Sequence, residues 1–404
     1  MLLDRDRFLE DGYLILRNVI PPDTLDALRT SYETLVERQR AIWARDRQPQ
    51  DPPGGAWETA AQPRLLLHQT PELIDEQTAK AVEFWLHDHT LGVSRELLGT
   101  PDPAVTEMML MCNPVRDHGP ANWHRDVHPI DTAPLQGYLM DLLENGPRYV
   151  QWNIPLYDDD VLWVVPGSHR RVNTDVEDRQ LLENPRVPLP GGIQTHLKAG
   201  DGVVYILPLL HWGSNYSPRL RRTIHGGYSN HTYYKDLSYT RFLSSEARMM
   251  FDRWAQRSEQ MQAHTEAALR AVMHKDGPSY HAALDRLHPG RGDNGKLLST
   301  VYLCKAVFCI SLQKHPTREG VPPALRSAAL RPHPGTFNWG PPFADRFSAK
   351  EAEVLWERFK IIDAKLQADD ERFAPGFQSG PMRYFFNEMP IDLTVESFIA
   401  SWDG

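Results

Sequence analysis

Cysteine is scarce in this chain, which excludes a disulfide framework. The 404 residues contain only Cys112, Cys304 and Cys309. An odd, small number of cysteines without a repeated spacing indicates reduced thiols and favours a cytoplasmic protein. Cys304 and Cys309 lie five residues apart in an apolar stretch, where cysteine ordinarily packs as a small buried hydrophobe. A zinc site would need more cysteine or histidine at short spacing.

Excess basic charge and long apolar runs are also lacking. Lys and Arg number 44 against 53 Asp and Glu, so the formal net charge is −9. We therefore expect neither a nucleic-acid partner nor a membrane partner, both of which favour a basic face. Residues 1–7 carry charges where a signal peptide would have its apolar core. The longest apolar stretch, residues 298–312, is interrupted by polar residues, so the sequence predicts no membrane span.

What the chain does have is the composition of a folded globular protein. Hydrophobic residues make up 41% of the sequence and include 11 Trp, which is enough for one large domain or two ordinary ones. Strand-like apolar runs dominate residues 1–240, whereas apolar residues at helical spacing dominate residues 241–404. We therefore predict a first domain over 1–240 and a helical extension, packed on it, over 241–404. A longer insertion at 129–148 is a candidate substrate lid.

The most informative motif is Trp123-His124-Arg125-Asp126, taken together with His211. Two histidines and one carboxylate form the facial triad of non-haem Fe(II) sites, which leaves one face of the metal open. His124 and Asp126 are two residues apart at a strand end and should point to the same side. The chain has 17 histidines, so an isolated H-x-D is weak evidence and ordinarily marks a surface loop.

Neighbouring motifs favour the metal interpretation. The turn Pro-Gly-Ser-His at 166–169 follows an apolar run at 161–165. The turn Gly-Asp-Gly at 200–202 leads into a second apolar run at 203–207, shortly before His211. The candidate ligands therefore lie at the ends of strands, where a rigid scaffold can present them.

In this order the motifs resemble those of the phytanoyl-CoA dioxygenase family. W-H-x-D, P-G-S-H, G-D, H-W-G-S-N and R-R-T, with the opening F-L-E-D-G-Y, carry the resemblance over about residues 6–235. It implies a mainly β core with a double-stranded β-helix fold, also called a jelly roll or cupin-like fold. Helices would flank this core, and the helical extension would follow it. The implied cofactors are Fe(II), 2-oxoglutarate as co-substrate, and O2.

The resemblance also implies a catalytic set. His124, Asp126 and His211 would bind the metal. Arg222, eleven residues past His211, would hold the far carboxylate of 2-oxoglutarate in a bidentate fork. Asp126 favours hydroxylation over halogenation, since a halogenating relative would need a small residue at this position.

Two other arginines, Arg219 and Arg221, compete for the anchoring role. Strand alternation puts Arg221 on the face opposite to Arg222, and Arg219 precedes the strand. The offset from His211 that is usual in the family selects Arg222. If Arg222 points away from the metal, a cupin-like metal enzyme that needs no 2-oxoglutarate is favoured instead.

Further co-substrate contacts are implied for Ser214, Met109 and Trp152. The offset of Ser214 from His211 is one residue longer than is usual in the family. Met109 and Trp152 fit ordinary core packing equally well. His169, in the P-G-S-H turn, looks like a ligand, but the resemblance implies a structural role for it.

The expected function is hydroxylation of an unactivated C–H bond of a small organic metabolite, with succinate and CO2 as products. Desaturation, epoxidation or cyclisation would use the same cofactors and stay open as alternatives. A non-catalytic jelly-roll binding protein with a vestigial metal site is the alternative from another class. The helical extension is a candidate surface for a homo-oligomer.

Overall fold

The structure is a computed structural model that describes residues 3–127, 134–317, 326–327, 330–373, 375–376, 382–384 and 388–403. It divides into two compact units. Unit 1 comprises Met1–Arg125 and Pro147–Trp254, and unit 2 comprises Asp126–Gly146 and Ala255–Gly404. The predicted domain division at residue 240 stays a prediction, and five residues of the predicted lid, 129–133, lie outside the described residues together with the preceding His128.

Helices and strands alternate in the first 240 residues, and helices dominate the remainder. The α-helices of the described residues are α1 (Arg5–Asp11), α2 (Leu25–Trp43), α3 (Gly55–Thr59), α4 (Ala79–Glu83), α5 (Val93–Leu98), α6 (Leu135–Asn145), α7 (Asp175–Glu183), α8 (Ser245–His274), α9 (Gly277–Leu287), α10 (Asp293–Lys314), α11 (Pro341–Ala344), α12 (Ala349–Leu366) and α13 (Val395–Ala400). The strands are β1 (Tyr13–Leu16), β2 (Arg64–Leu66), β3 (Ala104–Cys112), β4 (Gly119–Pro120), β5 (Tyr149–Pro155), β6 (Trp163–Val164), β7 (Ile193–Gln194), β8 (Gly202–Ile206), β9 (His211–Trp212), β10 (Ser214–Asn215), β11 (Arg222–Ser229), β12 (Gln367–Arg372) and β13 (Met382–Tyr384).

Unit 1 is built on antiparallel sheets. Six strands pair in the order β1-β8-β5-β11-β3-β2, and a smaller sheet has the order β7-β6-β9. A further pair joins β10 to β4. The neighbours in the large sheet are far apart in sequence, so their pairing requires long connections that carry the helices. The protein is therefore of mixed α/β class, with antiparallel sheets and flanking helices.

The six-stranded sheet has two different faces. On the helix face, Trp152 Nε1 donates to Ser94 Oγ of α5 at 2.9 Å. On the inner face, Val203 and Tyr205 of β8 pack with Val164 of β6, which belongs to the smaller sheet. Because side chains alternate along a strand, each residue of the sheet belongs to one face or the other.

The register of β11 assigns its residues to these faces. Gly226 lies opposite Trp152, so Arg222, four residues earlier on the same strand, is on the helix face. His225 lies opposite Asn153, whose strand partner on the other side is Val203, so His225 is on the inner face. A slip of one residue would exchange the two faces completely.

The P-G-S-H turn packs against the start of the chain. Gly12 ends α1 with φ +83°, a conformation that favours glycine. A Cβ at Gly12 would lie 2.3 Å from Nδ1 of His169. The His169 ring is buried, and its Nε2 bonds the carbonyl of Leu9 at 3.0 Å. Burial lowers the pKa of His169 to about 4, so this histidine is a neutral packing residue, in agreement with the predicted structural role.

Unit 2 is helical and has its own core. Its central helix is α10, with Leu298, Val301 and Leu303 fully buried. Among the described residues, this helix alone is long and apolar enough to cross a membrane by length and composition. However, 83% of its apolar window is buried within the protein, as in the core helix of a globular fold.

Helix α6, which follows Asp126 in the chain, is part of the same unit. Arg291 donates to both carboxylate oxygens of Asp141 on α6, at 2.9 and 2.8 Å. Asn145 accepts from the backbone N–H of Gly292 at 3.0 Å. The pair Asp141–Arg291 is almost fully buried, with side-chain exposures of 2% and 11%.

Candidate active site

The structure brings together the three predicted metal ligands. One potential ligand atom each of His124, Asp126 and His211 lies within 4.8 Å of the other two. The backbones of His124 and His211 form a two-residue bridge, in which each N–H donates to the other's carbonyl at 2.9 Å. The two ring centroids are 4.3 Å apart. A bridge that joins distant parts of the chain therefore sets the spacing of the two imidazoles.

Both histidines use the same arrangement to fix their ring nitrogens. Nδ1 of His124 bonds the carbonyl of Asn122 at 2.8 Å, and Nδ1 of His211 bonds the carbonyl of Leu209 at 2.9 Å. A carbonyl can only accept, so Nδ1 carries the proton and the lone pair is on Nε2. Such a bond is the usual support of a metal-binding histidine.

The donor set fits the predicted iron. Two neutral imidazoles and one carboxylate are the ligands of the 2-His-1-carboxylate site, which suits Fe(II) and leaves open positions. A single carboxylate also leaves a net positive charge on a bound Fe(II), which favours an anionic co-substrate beside it.

Arg125, between two of the ligands, is fully buried and makes four hydrogen bonds. Nη1 donates to the carbonyls of Ser168 and Pro208 at 2.6 and 2.5 Å. Nε and Nη2 donate to Oδ1 of Asn173 at 3.1 and 2.8 Å. Burial lowers the pKa of Arg125 to about 10, although the charge of Glu177 raises it. Arg125 remains charged at neutral pH, but no carboxylate of the described residues forms an ion pair with it.

Polar side chains line the inner face close to His211. The ring of Tyr205 is 5.1 Å from that of His211, centroid to centroid. The Tyr205 hydroxyl accepts a hydrogen bond from Gln151 at 2.7 Å. On the neighbouring strand, His225 Nδ1 bonds Asn153 Oδ1. The inner face therefore offers a polar surface next to one of the ligands.

Arg222, the predicted co-substrate anchor, is placed away from the inner face by its strand register. Arg222 lies on the helix face, where Nε donates to Glu33 of α2 at 3.3 Å. Its Nη1 donates to Oδ1 of Asn113 at 3.2 Å and to the carbonyl of Arg221 at 2.9 Å. These contacts tie the start of β11 to a helix and to the end of β3, so Arg222 has a structural role.

Trp152, predicted to contact the co-substrate, is placed on the same face as Arg222. It is fully buried on the helix face, bonded to Ser94, and Asn153 faces inward in its place. Met109 lies opposite His225 and therefore on the inner face. Ser214 lies on β10, opposite Pro120. The co-substrate roles of Met109 and Ser214 stay predictions.

Unlike Arg222, Arg221 lies on the inner face of the six-stranded sheet. Arg221 Nε and Thr223 Oγ1 donate to the same oxygen of Asp159, at 2.9 and 2.8 Å, and Thr223 belongs to the inner face with His225. Among the described residues, the Nη nitrogens of Arg221 make no hydrogen bond. The side chain is 15% exposed, so two parallel donors remain for a carboxylate ligand.

Asp159 holds Arg221 in this position. Asp159 is buried and accepts from the N–H of Val161 at 2.8 Å. Burial alone would raise the pKa of Asp159, but the charge and hydrogen bonds of Arg221 lower it below its usual value. Strand alternation counted back from His225 could have assigned Arg221 to the inner face. Nothing in the sequence marked Asp159 as its partner.

Comparisons with known proteins agree with this site. The model of the phytanoyl-CoA dioxygenase (PhyH) family matches residues 8–223, just over half of the chain. No curated protein matches the sequence. Among solved structures, EctD from S. alaskensis with 2-oxoglutarate and 5-hydroxyectoine is 19% identical, with a TM-score of 0.39 over 56% of this chain and 74% of EctD. AviO1 from Streptomyces viridochromogenes Tue57 is 22% identical, with a TM-score of 0.38 over 57% of this chain and 96% of AviO1.

A third similar structure is SnoN, a non-heme alpha ketoglutarate dependent epimerase from nogalamycin biosynthesis. It is 16% identical, with a TM-score of 0.37 over 56% of this chain and 81% of SnoN. Assignment to a family depends on the sequence match over residues 8–223 and agrees with the triad of His124, Asp126 and His211. The chain belongs to the phytanoyl-CoA dioxygenase family and is an Fe(II)- and 2-oxoglutarate-dependent oxygenase.

Proposed function

We propose that this oxygenase hydroxylates an unactivated C–H bond of a small organic metabolite. One atom of O2 enters the substrate as a hydroxyl group, and the other enters succinate as 2-oxoglutarate loses CO2. The observation that carries the proposal is the close grouping of His124, Asp126 and His211. The carboxylate of Asp126 supports hydroxylation over halogenation, since it fills the position that a halide would need. When bound, the iron and 2-oxoglutarate supply the oxidising chemistry.

Arg221 is the residue that we assign to the far carboxylate of 2-oxoglutarate. Its inward direction, its unbonded Nη nitrogens among the described residues and the fixed Nε–Asp159 contact at 2.9 Å support this role. An arginine that is already oriented loses less side-chain entropy when it binds a carboxylate. The outward direction of Arg222 would by itself favour a cupin-like enzyme that needs no 2-oxoglutarate. With Arg221 as the anchor, that reason no longer applies.

We also infer that the sheets of unit 1 form the double-stranded β-helix expected from the family resemblance. The six-stranded and three-stranded sheets share one apolar cluster, in which Val203 and Tyr205 meet Leu162 and Val164. Two antiparallel sheets packed face to face are what a jelly roll requires. The metal ligand His211 lies on β9 in the smaller sheet.

The experiment that tests the site is an anaerobic titration of the Fe(II) protein with 2-oxoglutarate. Chelation by the co-substrate gives a weak charge-transfer band in the visible region. We expect the band in the wild type and in Arg222→Ala, but at least roughly tenfold weaker co-substrate binding in Arg221→Ala, because a charge-assisted bidentate pair is lost.

Arg222→Ala is the matched control, because it removes the neighbouring arginine from the opposite face. Loss of the band in Arg222→Ala with retention in Arg221→Ala would return the anchor to Arg222. No band in the iron-loaded wild type would refute the assigned co-substrate site. Hydroxylation is then tested by mass spectrometry of substrate candidates, where a gain of one oxygen must match the succinate formed.

Location, partners and assembly stay proposals. Cys112, Cys304 and Cys309 are all buried, and burial raises the pKa of Cys112 to about 11, so its thiol is unreactive. This pattern suits a cytoplasmic protein. A small-molecule substrate, without nucleic acid or membrane as partner, follows from the proposed reaction. A homo-oligomer formed through the helical extension is tested by light scattering.

A further inference from the structure

The segment that leads to His211 is held by contacts beyond the β6–β9 pairs. Ser168 Oγ accepts from the N–H of Leu210 at 2.8 Å, and Leu210 in turn accepts from Val165 at 2.9 Å. Pro208, three residues before His211, has its carbonyl on the guanidinium of Arg125. The backbone carbonyl of Ser168 binds the same nitrogen, Nη1. One nitrogen of Arg125 therefore joins both parts of this support.

Arg125 itself is fixed at its Cα by its neighbours. His124 is bridged to His211 through two backbone hydrogen bonds. Side chains alternate along an extended chain, so the Arg125 side chain leaves the backbone on the side opposite to His124 and Asp126. His124 and Asp126 therefore lie on one side of the backbone at Arg125. On the other side, the guanidinium binds the carbonyl of Pro208 in the segment that leads to His211.

We propose that Arg125 is a positioning residue of the iron site, which sets the placement of His211 relative to His124 and Asp126. The inference depends on the proposed iron role of the triad. Its physical basis is the number and direction of the bonds: four hydrogen bonds from three nitrogens reach two separate backbone segments and the side chain of Asn173. No ligand of the metal needs to touch Arg125 for its removal to change the site.

Other side chains cannot replace this set of contacts. A lysine ammonium is a point charge and cannot reproduce the planar fork that reaches Asn173 and both carbonyls together. A methionine of similar length would remove the Arg125 donor from the buried carbonyl of Pro208 and leave the carbonyl of Ser168 with only the N–H of Arg171, at 3.4 Å. A buried charge without a carboxylate partner is costly, which argues for a role in geometry beyond stability alone.

The test is an anaerobic titration of the full-length protein with Co(II), a spectroscopic substitute for Fe(II). Affinity and the visible absorption of bound Co(II) both report ligand geometry without turnover. We expect folded Arg125→Met to bind Co(II) roughly 10- to 100-fold more weakly, as for other residues that support metal ligands, with altered visible bands. Arg125→Lys should restore part of the affinity, because one carbonyl regains a donor.

Arg171→Met is the matched control. Arg171 lies in the same region and binds Glu177 through both Nη nitrogens, at 2.7 and 2.8 Å. Its side chain forms no hydrogen bond with Ser168 or Pro208, and its backbone N–H, which donates to the Ser168 carbonyl at 3.4 Å, is kept in Arg171→Met. This variant should keep the wild-type affinity and bands while losing some stability. If it changes the Co(II) spectrum as Arg125→Met does, the effect reflects the region's stability and the positioning role is refuted.

Circular dichroism shows whether Arg125→Met folds. If Arg125→Met does not fold, Arg125→Lys decides, and wild-type affinity with wild-type bands in that variant overturns the proposal. His211→Ala distinguishes failure of the proposed metal site from failure of the positioning role of Arg125. Failure of the wild type to bind Co(II) more tightly than His211→Ala refutes the metal site itself. Tight wild-type binding with an unchanged Arg125 variant refutes only the positioning role.

Discussion

Asp159 connects the turn after β5 to the first residues of β11. Its carboxylate accepts from Arg221, Thr223 and the N–H of Val161, and its backbone pairs with Leu197 in both directions at 2.9 Å. The side chain therefore has little room to move. Arg221 receives a fixed direction from it, which a flexible surface arginine would lack.

Replacing Asp159 by Asn should destabilise the protein at neutral pH by roughly 3 kcal/mol, because it leaves a largely buried guanidinium without its counter-charge. The pKa of Asp159 is lowered by folding. Its stabilisation is therefore complete above the pKa of an unfolded-chain carboxyl and is lost as the pH falls through the folded-state value. Denaturant unfolding at several pH values should show the wild type and variant converge below about pH 4.

Asp158→Asn is the control for this prediction. Asp158 bonds Lys198 at 2.8 Å, but both side chains are at least half exposed, so its loss should cost less than about 1 kcal/mol. Equal losses in the two variants would show that Asp159 is not held as described. Asp159→Asn should also weaken 2-oxoglutarate binding, whereas Asp158→Asn should not.

Single-residue reasoning from the sequence was sufficient for the triad but not for its surroundings. His124 and Asp126 have a fixed i, i+2 relation, and the strand-end motifs identified His211. The choice between Arg221 and Arg222, and between Asn153 and Trp152, depended on strand register. A shift of one residue moves a side chain to the other face of a sheet. The spacing between histidine and arginine that is usual in the family therefore cannot decide between two adjacent arginines.

The contact between α1 and the P-G-S-H turn joins two elements distant in sequence. The N–H of Gly167 donates to the carbonyl of Asp11 at 2.8 Å, while the His169 ring covers Gly12. Both glycines have positive φ, +74° and +83°. The turn thereby gains a fixed base, and its Ser168 supports the segment before His211.

Gly12→Ala should destabilise the fold by more than about 3 kcal/mol, because the strain of a positive φ adds to a collision with the buried His169 ring. Gly191→Ala is the matched control, since Gly191 has φ +76° and nothing within 4 Å of an added Cβ. It should cost only about 1 kcal/mol. Thermal unfolding measures both, and equal losses would contradict the packing of His169 on Gly12.

Elements could be predicted from local patterns more readily than their partners could. The apolar runs at 161–165 and 203–207 indicated strands, and the structure has β6 (Trp163–Val164) and β8 (Gly202–Ile206) there. β8 lies between β1 and β5, and its pairing with β1 joins residues as distant in sequence as Tyr13 and Tyr205. Local periodicity contains no information on such pairs.

The division of the whole chain also departs from a simple reading of the sequence. Unit 2 combines Asp126–Gly146 with Ala255–Gly404. Helical spacing indicated the helical character of the second stretch, but no local signal assigned residues 135–145 to it. The assignment follows from packing: a Cβ on Gly137 would lie 3.5 Å from Leu298 and 2.7 Å from Met389.

Arg291→Ala should loosen unit 2 by roughly 2–3 kcal/mol, because the buried carboxylate of Asp141 would lose two charge-assisted hydrogen bonds from Arg291 while keeping that of Asn145. Hydrogen exchange followed by mass spectrometry should show faster exchange in α6 and the start of α10, with β11 unchanged. Lys275→Ala, which removes an exposed pair with Asp403 in the same unit, should change little. Unaltered protection of α6 in Arg291→Ala would contradict this account of the pair.

Unit 2 consists of two separate stretches of chain, and this has a consequence for how the protein evolved. A gene fusion at the carboxyl end could add the tail helices, but it could not by itself supply Leu135–Asn145, which lies between two metal ligands in the sequence. Because the two stretches form one compact unit, we expect insertion and tail to be gained and lost together. Relatives without the tail should have a short loop after the aspartate of their W-H-x-D motif, and a relative with this apolar helix but no tail would contradict the inference.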